Sequence, residues 1–317
     1  MKPKPLFDQE PSEIVAVKNW LLDDEFPIFP TGQKPKRALI CPAPVPHRFL
    51  IGGHRYLFKE PEGYHAQQIW SEVLAYRLSR RLPVEVPPAF LAYDERQRRS
   101  GVLVEFFFGY DGRPEPRFVH ASDLFQARGM GFDTSRGSLR DNMDLSRLHG
   151  VPGYWQWWAR TIAFDTLIGN TDRHSQNWGF LVDRTTGGAA AHSLAPAFDN
   201  GSSLGWLTRE ADIPKAMGQQ AFSRFIARGR HNCTWTAVHD DVTRGHDRLA
   251  ALFIKHRPAA AASMEPFALL SDTDLETVLQ ECLCCVDFPV AFTAQRADFV
   301  RAQVIARRAA LRQCLGG

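Results

Sequence analysis

Nowhere in this sequence do about 18 apolar residues run uninterrupted, so no membrane-spanning helix is expected. An excess of one charge is also lacking. Lys and Arg number 38 against 35 Asp and Glu, and a net charge of +3 is too small to argue for nucleic-acid or membrane binding. The stretch Met1 to Glu10 holds no apolar run of the kind a secretory signal needs. Cysteine is scarce. Six in 317 residues suit a reducing compartment better than a disulfide framework, and the expected location is cytoplasmic. Cys282, Cys284 and Cys285 have no second pair at finger-like spacing, and their neighbours Val278, Leu279, Leu283 and Val286 read as a buried helix. No internal repeat, low-complexity tract or G-x-G-x-x-G motif occurs. What remains is an ordinary globular composition, 44% hydrophobic and 23% charged, in a chain long enough for two lobes.

The first third reads as short strands broken by turns. Residues 37–40, 48–51 and 55–59 have strand character, with Gly52 and Gly53 as a hairpin turn between the last two. Residues 67–82 place Ile69, Val73, Tyr76 and Leu82 near one helical face, with Pro83 beyond the end. Residues 84–93 and 101–108 look like two more strands. The stretch 109–153 reads as connecting loops with one or two short helices. Residues 154–167 are apolar nearly all round and read as a central helix, ended by Gly169. Beyond residue 205 the pattern is mostly helical, at 237–256, 273–286 and 293–315. Arg296, Arg301, Arg307, Arg308 and Arg312 read as a solvated face of the last helix, with an anionic docking site as the minority reading. The expected class is α+β and bilobal: a small β-rich N-lobe over residues 1–108 and a larger, mainly helical C-lobe over residues 109–317.

The stretch that carries chemistry runs from Gly169 to Val182. It leaves a buried helix through a polar loop holding Asp172, His174 and Asn177, and enters a strand. A second strand and then Asp199 follow. Phosphoryl transfer needs one carboxylate to orient a hydroxyl, and a second carboxylate with an amide oxygen to hold magnesium. The spacing D-x-x-x-x-N from Asp172 to Asn177, followed by a strand pair and a second Asp, is the protein-kinase order. Taken singly, the same residues also read as an Asx turn, a loop amide and a surface turn.

The string from Ile168 to Phe180 and the string from Leu194 to Asp199 resemble the HipA-type bacterial kinases, with a more distant likeness to phosphoinositide kinases. Upstream, Pro30 to Lys36 resembles the family's phosphate-covering segment, Tyr56 to Lys59 its nucleotide-lysine strand, and Ser71-Glu72 its helix pair. The resemblance implies a protein-kinase-like fold using ATP and Mg²⁺. It implies that Asp172 is the catalytic carboxylate and that Asn177 and Asp199 are the metal ligands. Gly32, Gln33 and Lys34 would cover the phosphates, Lys59 would contact them, and Glu72 would pair with Lys59. Glu105 and Phe106 would mark the adenine hinge. His174 would hold the loop or touch a phosphate. The acceptor would be a Ser or Thr of a protein, in a toxin or an effector delivered into another cell, with an antitoxin-like partner. A small-molecule or phosphoinositide-type kinase and a nucleotide-binding pseudokinase are the alternatives. The family's autophosphorylated loop serine is replaced by Thr31, Asn200-Gly201 follows Asp199 in place of Phe-Gly, and the short stretch before residue 29 leads us to expect a minimal kinase core.

Overall fold

The computed structural model describes residues 8–24, 36–110, 116–129, 137–183, 190–236 and 240–316. The segment expected to cover the phosphates, with Thr31, Gly32, Gln33 and Lys34, lies outside the described residues.

Alternation of side chains builds the N-terminal sheet. Strands β1 (Val15–Ala16), β2 (Leu21–Leu22), β3 (Lys36–Ile40) and β4 (Arg55–Lys59) precede helix α1 (Gln68–Ser79), and β5 (Ala89–Asp94) and β6 (Arg99–Glu105) follow it. Among the described residues six strands form one sheet in the order β1-β5-β6-β4-β3-β2. In β4 the aromatic side chains of Tyr56 and Phe58 are buried, and Lys59 ends the strand. Strands β1 and β2 are too short to show an alternation and were not expected. Residues 48–51, expected as a strand, form a turn instead, with the Leu50 amide on the His47 carbonyl at 3.1 Å. There Phe49 and Leu50 are buried as core anchors. β3 pairs directly with β4, closed by Cys41 N–H to the His54 carbonyl at 2.9 Å.

Every residue of α1 is buried. One side lies under β5 and β6, and another meets the C-terminal helices. The Trp70 indole N–H donates to the Val290 carbonyl at 2.8 Å, and Arg77 pairs with Glu281 at 2.7 Å.

The rest of the chain is mainly helical. Strand β7 (Arg117–His120), unexpected in a stretch read as loop, leads into α2 (Ala121–Ala127) and α3 (Leu139–Leu148). The N-terminus of α3 is capped by Ser138, whose hydroxyl accepts from the Asp141 amide. Helix α4 (Tyr154–Ile168) is central, and β8 (Gly179–Asp183) and β9 (Ala191–Leu194) complete a sheet ordered β7-β8-β9. Helices α5 (Ile213–Ala216), α6 (Gln219–Ala227), α7 (His246–His256), α8 (Ala260–Ala268), α9 (Asp272–Leu283) and α10 (Ala294–Gly316) follow. Helix α4 packs against α7, α8 and α10. Among the described residues no helix is long and apolar enough to cross a membrane.

The last helix corrects one expectation. Arg296, Arg307 and Arg308 are buried, because α10 is enclosed by α4, α7, α8 and α9. Their long stems pack while their heads find acceptors. Arg296 Nε donates to Glu210 at 2.7 Å, and Arg308 reaches Asp272 at 2.5 Å. Arg301 stays at the surface with Glu276. Cys282 and Cys285 are buried and Cys284 is exposed; burial pushes the Cys282 thiol up to about 12.

Candidate active site

Two rigid elements deliver the first part of the site. Lys59 stands at the end of β4 and Glu72 on the buried helix α1. Lys59 Nζ donates to Glu72 Oε1 at 2.5 Å and to Asp199 Oδ1 at 3.0 Å. Burial alone would lower the Lys59 ammonium, but the Asp199 and Glu72 carboxylates outweigh it and hold it above its ordinary value. Burial would likewise raise Asp199; Lys59 and then Lys36 overcome this and hold the carboxyl below the usual range. Lys36 Nζ lies 3.9 Å from Asp199 Oδ2, and Lys36 is the direct cross-strand partner of Lys59. Lys36 was not singled out beforehand. Its signal was a lysine directly before the strand expected at residues 37–40, at the end of the segment from Pro30 to Lys36.

The loop that holds Asp172, His174 and Asn177 begins where α4 stops. Gly169 is left-handed (φ 65°), and a Cβ there would fall 2.7 Å from the Arg307 guanidinium, so both conformation and space call for glycine. The buried Asn170 takes the Asp172 amide on its Oδ1 at 3.0 Å and donates to Asp165 Oδ1 at 3.1 Å. The Asp172 side chain is about half exposed, at 45%, with Ser202 Oγ 3.4 Å from Oδ2 and His174 Nε2 3.8 Å from Oδ1. His174 Nδ1 accepts from the Gln176 amide at 3.2 Å, tying the imidazole into the loop. Asn177 Nδ2 donates to the Asp172 carbonyl at 2.7 Å. That contact assigns the amide orientation and leaves Oδ1 as the metal-competent atom.

One buried ion pair joins the loop to the Asp199 segment. Arg173 donates from Nε and Nη2 to Asp165 at 3.1 and 2.8 Å, and from Nη2 to Asn200 Oδ1 at 2.7 Å. Its Nη1 donates to the carbonyls of both Asn177 and Phe198. Asn200 N–H in turn donates to Glu72 Oε2 at 3.1 Å. Thus Lys59, Glu72 and Asp199 meet directly, Asp172, His174 and Asn177 share one loop, and Arg173 pins the two groups together. Sequence reasoning gave no role to Asp165, Arg173, Asn170 or Asn200. The signal was Asp165, the lone acid of a largely apolar helix, which needs a partner once buried.

Glu105 and Phe106 sit apart from this cluster. The Glu105 carboxylate is buried against the hydroxyls of Tyr56 and Tyr110, at 3.4 and 2.7 Å. The Phe106 amide donates to the Arg55 carbonyl at 3.1 Å, and its carbonyl meets His54 Nε2 at 2.7 Å. Both backbone groups of Phe106 are therefore engaged within the sheet. Next in the chain, Phe107 stacks on Phe198, the residue before Asp199, with centroids 5.5 Å apart.

Asn177 and Asp199 offer hard oxygen donors, and Lys59 and Lys36 stand beside Asp199; hard oxygens of this kind suit Mg²⁺ carried on nucleotide phosphates. Among the described residues no group of three His, Cys, Asp or Glu side chains could hold a metal by itself.

Beneath the loop, His246 Nε2 meets the Asn170 carbonyl at 2.9 Å, and its Nδ1 meets Arg307 Nη1 at 2.7 Å. The neighbouring His231 packs edge-on against it, centroids 4.5 Å apart. Burial pushes His231 down to about 4. An unfolded histidine, near 6.5, takes up a proton that the folded His231 refuses, so this stability is present above pH 6.5 and lost as pH falls toward 4. We expect His231 alone to cost roughly 2 kcal/mol between pH 7 and pH 5. Thermal melts should show this loss in wild type and a shallower slope in His231→Gln; equal slopes would contradict it.

The family model of the HipA-like C-terminal domain matches residues 29–263, well past Asp199, where the last of the resembling strings ends. A stretch of 48 residues is 46% identical to the serine/threonine-protein kinase CtkA of Helicobacter pylori, covering 15% of this chain and 14% of that protein. The crystal structure of the proinflammatory kinase CtkA of H. pylori is similar in fold, with a TM-score of 0.71 at 16% identity over 96% of this chain and 99% of that one. Shewanella oneidensis MR-1 HipA, solved in complex with HipB and operator DNA, gives a TM-score of 0.53 at 17% identity over 93% and 68%. The shared fold is α+β, a β-rich N-terminal sheet followed by a mainly helical part.

Proposed function

Because the chain belongs to the HipA-like C-terminal domain family, we propose that it is an ATP- and Mg²⁺-dependent kinase that transfers the γ-phosphate to a serine or threonine hydroxyl of a protein. The observation that carries this reading is the junction at Asp199, where Lys59, fixed by Glu72, meets a carboxylate pinned through Arg173 to the Asp172 loop. In this reading Lys59 and Lys36 hold the nucleotide phosphates, and Asp172 orients the acceptor hydroxyl and receives its proton. Asn177 Oδ1 and the Asp199 carboxylate hold the metal, which neutralises charge on the phosphates when bound. His174 braces the loop. The lobe boundary falls near residue 108. Since the Phe106 amide and carbonyl are engaged, the adenine edge is read by the peptide groups after it, beside the Phe107–Phe198 stack. A cytoplasmic toxin or effector role, and an antitoxin-like protein partner as in the HipA–HipB complex, belong to the same proposal.

The test is transfer of labelled γ-phosphate from ATP with Mg²⁺, to the chain itself and to added protein. Wild type should transfer label to serine or threonine. Lys59→Met, which removes charge-assisted bonds to phosphate, should lower kcat/KM for ATP about 10- to 100-fold. No transfer, together with no rise in melting temperature on adding MgATP, would sink the kinase reading.

A further inference from the structure

An open cleft of about 590 Å³ shares no lining residue with the site around Lys59 and Asp172. It is formed where the start of α3, the segment around Trp235 and the end of α7 meet. Phe253 and Met143 give it an apolar floor, Trp235 and His256 a stacked wall with centroids 4.8 Å apart, and Arg140 and Arg257 a basic rim. The Arg257 guanidinium lies over the Trp155 ring, 5.1 Å from its centroid, which places the cleft at the first turn of α4. The catalytic loop leaves the other end of that helix, roughly 22 Å away at 1.5 Å per residue.

Three features separate this cleft from ordinary surface. The first is charge. Among the described residues no acidic side chain lines it, and neither Arg140 nor Arg257 forms an ion pair with a carboxylate. Many other arginines of the chain do find one, as Arg37, Arg77, Arg173, Arg296, Arg301 and Arg308 show. The second is rigidity. The Arg140 amide donates to the Trp235 carbonyl at 3.2 Å, the Leu139 amide to the Thr234 carbonyl at 2.8 Å, and the Trp235 amide to Thr243 Oγ1 at 3.0 Å. The walls are thus held before any ligand arrives, which lowers the ordering cost of binding. The third is the mixture of surfaces: indole, thioether and phenyl groups beside two guanidiniums suit a ligand that is both apolar and anionic.

We infer that this cleft docks an acidic peptide segment of a protein partner, which presents carboxylates to Arg140 and Arg257 and an apolar side chain to Phe253, Met143 and Trp235. Nucleic acid is the poorer fit, because two guanidiniums in one cleft on a chain of net charge +3 make no basic stripe along which a phosphate backbone could run. The inference deepens the proposed function. A kinase that acts on a protein gains selectivity from contacts away from the reacting hydroxyl, and a cleft at the opposite end of α4 can hold the partner without blocking the nucleotide.

The test is fluorescence anisotropy of labelled short peptides alternating Glu with Leu and Phe, titrated with the full chain without ATP or Mg²⁺. Binding in the range of about 1–100 µM is expected, with a loss on the order of tenfold or more in the Arg140→Glu/Arg257→Glu variant. Both arginines are exposed, so that variant should keep the wild-type melting temperature and wild-type phosphate transfer to itself. Equal binding of the Gln-for-Glu peptides, unchanged binding by the double variant, or tighter binding of a single-stranded oligonucleotide would each overturn the inference. So would displacement of the peptide by millimolar inorganic phosphate, which would mark a phosphate subsite. Because the titration needs no catalysis, peptide binding by a chain that transfers no phosphate would count against the kinase reading alone.

Discussion

Asp172→Asn should bind MgATP as wild type does yet transfer phosphate about 10²- to 10⁴-fold more slowly, the usual worth of a positioned proton acceptor. The substitution is nearly isosteric, and the loop does not depend on the carboxylate for its shape. The Asp172 amide is held by Asn170 Oδ1 and its carbonyl by Asn177 Nδ2, both backbone contacts that asparagine keeps. What changes is the half-exposed side-chain group alone. An amide cannot take a proton from an acceptor hydroxyl, and its NH₂ would crowd the Ser202 and His174 side chains that now face two oxygens. The measurement is kcat by γ-phosphate transfer, paired with a nucleotide-dependent melting shift. An unchanged kcat would remove Asp172 from the chemistry. Loss of the shift as well would mean that the carboxylate belongs to nucleotide binding rather than to the acceptor.

The parts of this site legible in the sequence are those set by local order along the chain. Asp172, Asn177 and Asp199 lie on one helix–loop–hairpin unit, and residue types at short spacings report such a unit well. The α4 helix and its Gly169 stop were readable for the same reason: an apolar run followed by a residue that tolerates a left-handed turn. Where the answer depended on distant neighbours, the pattern misled. Residues 48–51 have a strand's composition, but Phe49 and Leu50 are buried by a loop folding over the sheet. The arginines of α10 were read as solvated because periodicity cannot show that α4, α7, α8 and α9 surround a helix. The basic cleft at Arg140 and Arg257 was invisible too, since its lining comes from three segments more than a hundred residues apart at the extremes. Glu72 is an intermediate case. Resemblance pointed to the residue, while its hold on Asn200 N–H appears only in the fold.

The ion pair between Arg173 and Asp165 carries the largest expected effect on stability. Both side chains are essentially unexposed, at 2% and 0%. Burial would lower the guanidinium, and the Asp165 charge more than offsets that, keeping it above its ordinary value. Arg173→Met would leave Asp165 as a buried carboxylate with Asn170 as its remaining side-chain donor. A loss of about 3–5 kcal/mol is expected, which in a chain of this size lowers the melting temperature by roughly 6–20 °C. The single variant cannot say whether Arg173 serves the fold or the site, because a half-unfolded enzyme is also inactive. Asp165→Leu/Arg173→Met separates the two. It removes the stranded charge, and replacing a buried pair with apolar groups of similar size is often close to neutral for stability. Yet the carbonyls of Asn177 and Phe198, which now converge on one Arg173 nitrogen, would still lack their common donor. The loop and the Asp199 segment would no longer be held in one register, and a misplacement near 1 Å costs about 10² in rate. Melting of the double variant should therefore recover most of the way to wild type while kcat stays down by on the order of a hundredfold. Recovery of both together would show that Arg173 only supports the core, and that the register of Asn177 and Asp199 is set elsewhere.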